Sequence, residues 1–422
     1  MNILFLCHRI PYPPDKGEKI RAFHMLAHLA KQHVVHLATF VDDPADMAHT
    51  ETLRRMVGGE CLFIPLGKTT AAARMALAFA AGRPLTTSYF AGARLTRWIG
   101  RLAKRHAIDR VVLFSSAMAP FVLEGHDFDP ARVVLDMVDV DSDKWSQYAR
   151  SARWPRSWIY GREARTLFAL EREAAAAFGA TLFVSPFEAK TFADLAPESR
   201  TRVHSVPNGV DLDRFMPDAT FPNPFGEGEL PIVMVGTMDY RPNVEGAIWF
   251  AEKVLPLIRA RLPNAKFHAV GAKPTAELLV PREGTAVTGR VDDVRPYVAH
   301  ASVVVAPLKL ARGVQNKVLE GLAMRKPVVA TLAASRGLDV TAGVDLWVED
   351  EPQRFADAVI AAATGPDRER IAENGRRRVE RDYDWAANLA ALDRLLEREP
   401  HGDARGATAG WSRRQMLGEG AE

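Results

Sequence analysis

Cysteine is scarce in this sequence of 422 residues, which contains only Cys7 and Cys61. Both lie inside apolar runs, ILFLCH and CLFIPL, and their spacing matches no metal-binding or redox motif. The sequence therefore predicts two buried structural thiols and excludes a disulfide-based scaffold. Such usage is typical of a protein from a reducing, cytoplasmic compartment.

A surplus of charge is also lacking, because the formal net charge at pH 7 is only +3. Proteins that bind the phosphate backbone of nucleic acids need a concentrated basic face. Nucleic acid is therefore not expected as the main partner. The fingerprint G-x-G-x-x-G is missing from the first strand–helix turn of each half of the chain, so an NAD-dependent enzyme is not expected either.

Long hydrophobic runs are absent as well. The N-terminal MNILFLCHRIPYPP has no basic segment ahead of its apolar stretch, which is too short for a signal peptide. The most apolar helical stretch, AAARMALAFAAG, contains Arg74 and is shorter than the roughly 20 residues that a bilayer span requires. We therefore expect no part of the chain to cross a membrane.

The chain does contain a regular alternation of short apolar runs with segments of helical periodicity. Continuous apolar strands between helices indicate parallel sheets covered on both faces. The strands predicted in the first half span residues 3–7, 34–40, 61–66, 111–115, 133–138, 180–185 and 203–207. Those predicted in the second half have the sequences IVMVGT, KFHAVG, TAVTG, SVVVAPL, PVVAT and VDLWVE.

A break in this alternation predicts the domain organisation. Residues 207–230 are rich in Pro, Gly, Asp and Asn, lack periodicity and are predicted to be an interdomain linker. We predict an α/β protein with two Rossmann-like, doubly wound domains, residues 1–206 and 231–382, with ligands at the carboxyl ends of the strands. The composition of residues 399–422 predicts a disordered tail.

Two glycine turns between a strand and a helix are candidate anion sites. Gly17 follows the first strand and a Pro-rich turn, and Glu18 and Lys19 begin the next helix. Free N–H groups at a helix start suit a phosphate oxygen, and glycine permits close approach. Glycine turns at such junctions are also common as purely structural features.

The second glycine turn, at Gly313, precedes a helix that is predicted to begin near Val314. The first free N–H groups of that helix would belong to Val314, Gln315 and Asn316. One turn further on, Lys317 and Glu320 share a helix face, while the neighbouring Val318 and Leu319 turn towards the sheet. This pair is either part of an anion site or an ordinary solvated ion pair worth a few tenths of a kcal/mol.

The segment VDVDSD admits three interpretations. Asp139, Asp141 and Asp143 resemble a divalent metal site, but they follow a strand of the first domain, far in sequence from the glycine turn at Gly313. This position favours an acceptor-hydroxyl or general-base role for Asp139 or Asp141, with helix capping by Asp141 or Ser142 as the alternative.

The segment FSSAMAP ends a neighbouring strand, so Ser115 and Ser116 are predicted to line the same pocket. Neither serine has the G-x-S-x-G context of a hydrolase nucleophile. We therefore exclude a hydrolase mechanism for them.

Several motifs, taken in order over about residues 1–398, resemble the retaining GT-B glycosyltransferases of family 4. The most specific is VPNGVDLDRF, at residues 206–215. The others are the Gly17 loop, VMVGTMDYRPNVEGAIWF, TGRVDDVRPYVAHASVVVAPL, KVLEGLAMRKPVVAT and GRRRVERDYDW. Within that family, CHRIPYPPDKGEKIR, LFSSAMAPFV, DMVDVDSDKW and ARGVQNKVLE resemble the exopolysaccharide sugar transferases associated with exosortase/PEP-CTERM systems.

The resemblance implies a fold and an activity. The fold is GT-B, with two Rossmann-like domains facing a central cleft and a C-terminal helix, 383–398, that returns to the acceptor-side N-terminal domain. The activity is transfer of a hexosyl group, with retention, from a nucleoside-diphosphate sugar to a glycan acceptor that is lipid-linked, in cell-surface polysaccharide biosynthesis. Neither a cofactor nor a metal is implied. A GT-B epimerase and a non-catalytic nucleotide-sugar-binding protein remain open alternatives.

The resemblance also implies roles for individual residues. Glu320 accepts hydrogen bonds from the ribose hydroxyls, Lys317 and Arg241 neutralise the departing diphosphate, and the amides around Gly17 hold the β-phosphate. Backbone groups of Arg290 and Val291 meet the base. Each role stabilises charge on the leaving group.

One position departs from the family pattern. The family usually carries a pair of glutamates separated by seven residues, and Arg312 stands where the first is expected. A guanidinium favours anions, so Arg312 is placed either beside the diphosphate or a charged sugar, or as a simple loop cap.

Two segments, GARLTRWIGRLAKRH and ARWPRSWIYGREAR, combine Arg and Lys with Trp, Tyr and Leu. Such surfaces rest on anionic lipid in some proteins and are ordinary solvated helix faces in others. Peripheral contact of a cytoplasmic protein with the inner membrane surface is therefore one of two expectations.

Overall fold

The computed structural model describes residues 1–14, 17–125, 127–217, 220–311 and 313–398. The chain divides into two compact units, Met1–Val206 with the C-terminal residues from Leu389, and Pro207–Asn388. The tail predicted at residues 399–422 lies outside the described residues.

The first unit is built on a seven-stranded sheet in the order β3-β2-β1-β4-β5-β6-β7. Every pair of neighbouring strands is parallel. The strands are β1 (Asn2–Cys7), β2 (Val34–Val41), β3 (Cys61–Pro65), β4 (Arg110–Phe114), β5 (Val133–Val138), β6 (Ala180–Phe183) and β7 (Val203–Ser205).

The helices of the first unit connect these strands. They are α1 (Gly17–Ala30), α2 (Thr50–Met56), α3 (Lys68–Ala80), α4 (Leu85–Tyr89), α5 (Ala93–Arg105), α6 (Pro120–Leu123), α7 (Asp141–Ser151), α8 (Arg156–Ala177) and α9 (Pro186–Leu195). Short 3₁₀ helices span Pro44–His49, Ser116–Met118, Pro130–Arg132 and Pro197–Arg202.

The second unit contains a six-stranded parallel sheet in the order β10-β9-β8-β11-β12-β13. Its strands are β8 (Leu230–Val235), β9 (Ala265–Val270), β10 (Thr285–Gly289), β11 (Val303–Ala306), β12 (Val328–Ala330) and β13 (Trp347–Val348). Its helices are α10 (Arg241–Trp249), a π-helical turn (Phe250–Val254), α11 (Leu255–Arg259), α12 (Arg295–Ala299), α13 (Asn316–Ala323), α14 (Leu332–Ser335), α15 (Pro352–Thr364) and α16 (Arg368–Asp382).

In both sheets the strand order reverses beside the first strand, which is the arrangement of doubly wound folds. Each unit has its own apolar core, because strands such as β4 and β11 are buried along their apolar residues and helices cover both faces. The predicted α/β fold with two parallel, doubly wound sheets is confirmed. Every strand predicted from its apolar run is present, with ends that differ by at most three residues.

The last helix, α17 (Trp385–Glu397), begins in the second unit and ends in the first. In the first unit, His28 Nε2 lies 2.8 Å from Asp393 Oδ2, and Arg110 Nε donates to the Leu396 carbonyl at 2.7 Å. Leu392 and Leu396 are fully buried. The helix is thereby fixed to the sheet by apolar packing and by polar contacts at its end.

None of the described helices combines the length and the apolar character needed to span a bilayer.

Candidate functional site

The loop after β11 makes a tight turn at Gly313. The φ angle of Gly313 is +59°, in the left-handed region that glycine adopts without strain. A Cβ atom at Gly337 would collide with the Gly313 carbonyl, so two backbones meet here. The turn is therefore held by close packing that leaves no room for side chains.

Helix α13 begins at Asn316, two residues later than predicted. Gln315 is its N-cap residue, with extended backbone angles and no side-chain capping hydrogen bond. Val314 and Gln315 thus precede the helix, and the amides of its first turn start at Asn316. The expectation of a helix beginning near Val314 is wrong by these two residues, because Gly313 and the extended Gln315 delay the helical angles.

Lys317 is held at the carboxyl end of β8. Its Nζ donates to Asn243 Oδ1 at 2.6 Å, and Asn243 Nδ2 donates to the Thr237 carbonyl at 2.9 Å. A Cβ on Gly236 would lie 2.6 Å from Asn243 Nδ2 and 3.4 Å from Lys317 Nζ. Only glycine at position 236 leaves room for this arrangement.

Glu320 and Lys317 are both pushed towards their neutral forms. Burial raises the pKa of Glu320 to about 7, against the opposing charges of Arg214 and Lys317. Burial lowers the pKa of Lys317 to about 8, against the charge of Glu320. Both residues are partly buried and Lys317 donates to Asn243, so they differ from an ordinary solvated helix pair. Perturbed titratable groups at a strand end are typical of a binding or catalytic site.

We call Asn243, Lys317 and Glu320 the α13 cluster. The sequence offered no reason to single out Asn243, although this residue lies within the motif VMVGTMDYRPNVEGAIWF. It also offered none for Arg214, in VPNGVDLDRF, whose charge opposes the raised pKa of Glu320. The Asn316 Oδ1 atom beside the cluster is buried and has no hydrogen-bond partner in the described chain.

The other residues of the second unit that were predicted to bind the nucleotide-sugar donor lie in several places. Arg241 opens α10, with its side chain 87% exposed and its Nε 2.6 Å from Glu245 Oε1. Arg290 is exposed just after β10, and Val291 packs against the core. Arg312 lies outside the described residues.

Val318 and Leu319 are fully buried in the core of the second unit. Their side chains therefore pack against the sheet, as the helical pattern predicted. If these two residues contact the nucleotide-sugar donor, they do so through their backbone atoms.

In the first unit, α1 begins at Gly17, one residue earlier than predicted, and the charged residues Glu18 and Lys19 already have partners. Glu18 Oε1 lies 2.6 Å from Arg9 Nη1, and Glu18 Oε2 lies 3.6 Å from His8 Nε2. Burial alone would raise the pKa of Glu18, but His8 and Arg9 outweigh it and hold this pKa well below its usual range. Lys19 Nζ lies 2.6 Å from Asp46 Oδ2 in a nearly buried pair. Both residues thus serve the fold, and their donor-binding roles stay predictions.

A fully buried ion pair between Arg21 of α1 and Asp136 of β5 was not predicted. Arg21 donates through Nε to Asp136 Oδ2 at 2.9 Å and through Nη1 to the Val206 carbonyl at 2.8 Å. Both charged side chains are 0% exposed. Asp136 Oδ1 also accepts the Val138 N–H at 2.9 Å, so the pair fixes the end of β5.

The carboxyl ends of β4 and β5 carry unusual backbone angles. Ser115 and Val138 have φ angles of +82° and +68°, which are costly for residues with a Cβ and which cluster at functional sites. The side chains of Ser115 and Ser116 are buried, and Ser115 Oγ accepts the Ala117 N–H at 3.3 Å. These serines therefore stand at a strained strand end, as structural neighbours of Asp136.

Helix α7 follows Val138 and Asp139, and it is not capped by its own residues. Its N-cap is Val140, which offers no side-chain cap, so capping by Asp141 or Ser142 is wrong. Instead, Glu188 Oε2 accepts the Val140 N–H at 3.1 Å. Glu171 accepts the Ser142 N–H at 3.2 Å and its hydroxyl at 2.5 Å. Two carboxylates from α8 and α9 thus position the Asp139–Asp141 loop.

Among the described residues, no three His, Cys, Asp or Glu side chains are grouped in a way that could hold a metal ion. Cys7 is buried and Cys61 is partly buried, and burial raises the pKa of the Cys7 thiol to about 12. The prediction of buried structural thiols agrees with the placement of Cys7, whereas Cys61 is only partly buried.

Solved structures share the fold over almost the whole chain. HepE of Anabaena, solved in complex with UDP-glucose, has a TM-score of 0.63 at 13% identity and covers 94% of this chain and 99% of its own. Sucrose-phosphate synthase from Thermosynechococcus elongatus has a TM-score of 0.67 at 15% identity, covering 94% and 98%. WaaG, a glycosyltransferase involved in lipopolysaccharide biosynthesis, has a TM-score of 0.64 at 19% identity, covering 94% and 100%. The chain has their two-domain GT-B fold.

No curated protein matches the sequence. Residues 229–364 match the family model described as Glycosyl transferases group 1. The matched segment contains all three residues of the α13 cluster.

Proposed function

We propose that this protein is a retaining glycosyltransferase that moves a hexosyl group from a nucleoside-diphosphate sugar to a lipid-linked glycan acceptor, in exopolysaccharide or other cell-surface polysaccharide biosynthesis. The α13 cluster is the observation that carries the proposal. It combines a lysine, a carboxyl group and a helix start in one partly buried place, at the carboxyl edge of a doubly wound sheet, where such folds bind ligands.

A nucleoside diphosphate satisfies this cluster chemically. The positive charge of Lys317, which burial disfavours by lowering its pKa, would be stabilised beside the diphosphate. The first-turn amides from Asn316 onwards suit a phosphate oxygen. Glu320 would accept ribose hydroxyls in its ionised form, and a ligand hydroxyl would also give Asn316 Oδ1 a partner. The UDP-glucose complex of the structurally similar HepE supports a nucleotide sugar as the donor.

The remaining roles are part of the proposal. The start of α1 at Gly17 holds the β-phosphate, Arg241 assists Lys317, and backbone groups of Arg290 and Val291 meet the base. In the first unit, Asp139 or Asp141 accepts the proton of the acceptor hydroxyl, next to Ser115 and Ser116. Transfer then requires no metal or cofactor, because the protein's own cations and amides stabilise the leaving diphosphate.

The first experiment identifies the nucleotide and tests the cluster. The full chain is heated with UDP, GDP or ADP, and a ligand that binds only the native form at about 100 times its Kd stabilises the protein by about 2.7 kcal/mol. We expect one of the three to raise the melting temperature, and Lys317→Met to remove most of that shift. If no nucleoside diphosphate shifts the melting temperature, the proposal fails.

The second experiment measures turnover with the matching nucleotide sugar. Glu320→Ala is expected to lower turnover about 100-fold or more without unfolding the chain. The matched control is Glu369→Ala, at a side chain that is 87% exposed, and it should leave turnover unchanged. Unchanged turnover in Glu320→Ala contradicts the site. Epimerised donor without an acceptor identifies an epimerase, and binding without any turnover identifies a binding protein.

A further inference from the structure

The two basic and aromatic segments singled out in the sequence differ sharply in the structure. In α5, Leu95, Trp98, Ile99 and Leu102 are all buried in the core of the first unit. The outer face of α5 is therefore polar and basic, and its large apolar side chains all point into the core.

The turn between α7 and α8 has the opposite character. Trp154, in the turn, is 82% exposed, and Trp158, in the first turns of α8, is 54% exposed. Arg153 and Arg156 beside them are also exposed. We call these four residues the aromatic corner. An exposed tryptophan of this kind costs free energy in water, so a cluster with two marks an interaction surface.

The residues of the aromatic corner are supported by packed side chains of neighbouring helices. The Trp158 ring packs edge-on against Phe79 of α3, with centroids 5.7 Å apart. Arg162 lies over the same Phe79 ring at 4.5 Å and donates to the Phe79 carbonyl at 2.9 Å. On the other side, Trp145 of α7 packs on Tyr160 of α8 at 5.4 Å. The exposed tryptophans therefore project from packed helices.

The charge around the corner has one sign. Residues 144–165 contain a single acidic residue, Glu163, and six basic residues, Lys144, Arg150, Arg153, Arg156, Arg162 and Arg165. Glu163 is buried and accepts the N–H groups of Leu85 and Thr86 at the start of α4, at 2.7 and 2.8 Å. Glu163 therefore adds no negative charge to the surface, and the exposed surface around the aromatic corner is basic.

We propose that the aromatic corner docks on an anionic lipid bilayer. Tryptophan prefers the interface between headgroups and acyl chains, because its ring is apolar and its N–H is polar. Arginines at that depth are attracted by anionic headgroups. A second copy of the chain is the poorer occupant, because a two-fold symmetric contact would place Arg153 and Arg156 against their own copies. The inference rests on the proposed function only in that a lipid-linked acceptor gives the contact its use.

The test is co-sedimentation of the full chain with vesicles of phosphatidylcholine alone or mixed with phosphatidylglycerol. We expect binding only to the mixed vesicles, weakened by added salt. Arg153→Glu with Arg156→Glu should weaken it about 30-fold or more, and Trp154→Ser about tenfold. Matched controls are Arg97→Glu with Arg101→Glu on the polar face of α5, and Phe187→Ser, whose ring is 57% exposed. Both controls should bind like the wild type.

Three results would overturn the proposal. The wild type fails to bind the anionic vesicles, or the corner variants bind them as well as the controls do, or ultracentrifugation shows a dimer that the corner variants abolish. Nucleoside-diphosphate binding is measured in parallel on every variant. A variant that loses vesicle binding but keeps nucleotide binding tests the aromatic corner alone. A variant that loses nucleotide binding but keeps vesicle binding tests only the proposed function.

Discussion

Lys317 and Glu320 should give nucleotide binding a narrow pH range. The pKa of Glu320 is raised to about 7 and that of Lys317 is lowered to about 8, both by burial. Affinity should therefore rise as Glu320 ionises above pH 7 and fall as Lys317 loses its proton above pH 8. Titration calorimetry with the nucleoside diphosphate from about pH 6 to pH 9 measures this profile. Lys317→Met should remove the alkaline limb and keep the acidic one, whereas a flat wild-type profile contradicts the assignment.

The buried pair of Arg21 and Asp136 leads to a prediction about stability. Asp136→Asn leaves the guanidinium uncompensated in a fully buried place and should lower the free energy of unfolding by about 3–5 kcal/mol. The double variant Arg21→Met with Asp136→Leu, which buries no charge, should recover most of that loss. Urea unfolding of the variants measures both effects. A single variant as stable as the wild type would show that the pair stabilises nothing.

Such residues show where sequence reasoning stops. Lys317 and Glu320 could be paired from the sequence because helical spacing brings them together. Asn243 could not, since it lies 74 residues from Lys317, and Asp136 lies 115 residues from Arg21. Only the packing of separate helices and strands brings these partners within hydrogen-bond distance.

The strands were predictable for a related reason. Each is a continuous apolar run, because both faces of a parallel sheet are buried, and that pattern is visible in the sequence. Helix starts were less predictable, since α7 receives its caps from Glu171 and Glu188 on other helices. Asp141 and Ser142, the local capping candidates, lie in the first turn of the helix, and Val140 takes the N-cap position.

This capping of α7 makes stability depend on pH. Burial raises the pKa of Glu171 to about 8, a hydrogen bond from Ser142 opposes the shift, and the charge of Asp141 adds to it. Because this pKa is raised above the ordinary value of 4.5, the contribution to stability is complete below about pH 4.5 and is lost as the pH rises from there to about 8, by up to about 1.4 kcal/mol per pH unit. Glu171→Gln should flatten the fall of the melting temperature with pH. Calorimetry of this variant beside Glu369→Gln checks the effect, and identical pH dependence in the two variants contradicts it.

The chain as a whole consists of two units with separate apolar cores, one formed by residues between 4 and 196 and the other by residues between 210 and 383. The loss of periodicity after residue 207 predicts a domain boundary in this part of the sequence. Only the family resemblance implied that the C-terminal helix returns to the N-terminal domain, because the periodicity of an amphipathic helix does not reveal which core it covers. Contacts of Asp393 and Leu396 with the first unit settle that point.

Separate cores allow each unit's response to the nucleotide to be read independently. In hydrogen exchange of the full chain, a saturating nucleoside diphosphate should slow exchange in peptides covering residues 313–323, because those amides gain a ligand. If Gly17 holds the β-phosphate, peptides covering residues 17–24 should be protected as well, and Lys317→Met should diminish both effects. Protection confined to the second unit would remove α1 from the proposed site while leaving the α13 cluster in place. Unchanged exchange in residues 313–323, at a concentration that shifts the melting temperature, would place the nucleotide elsewhere.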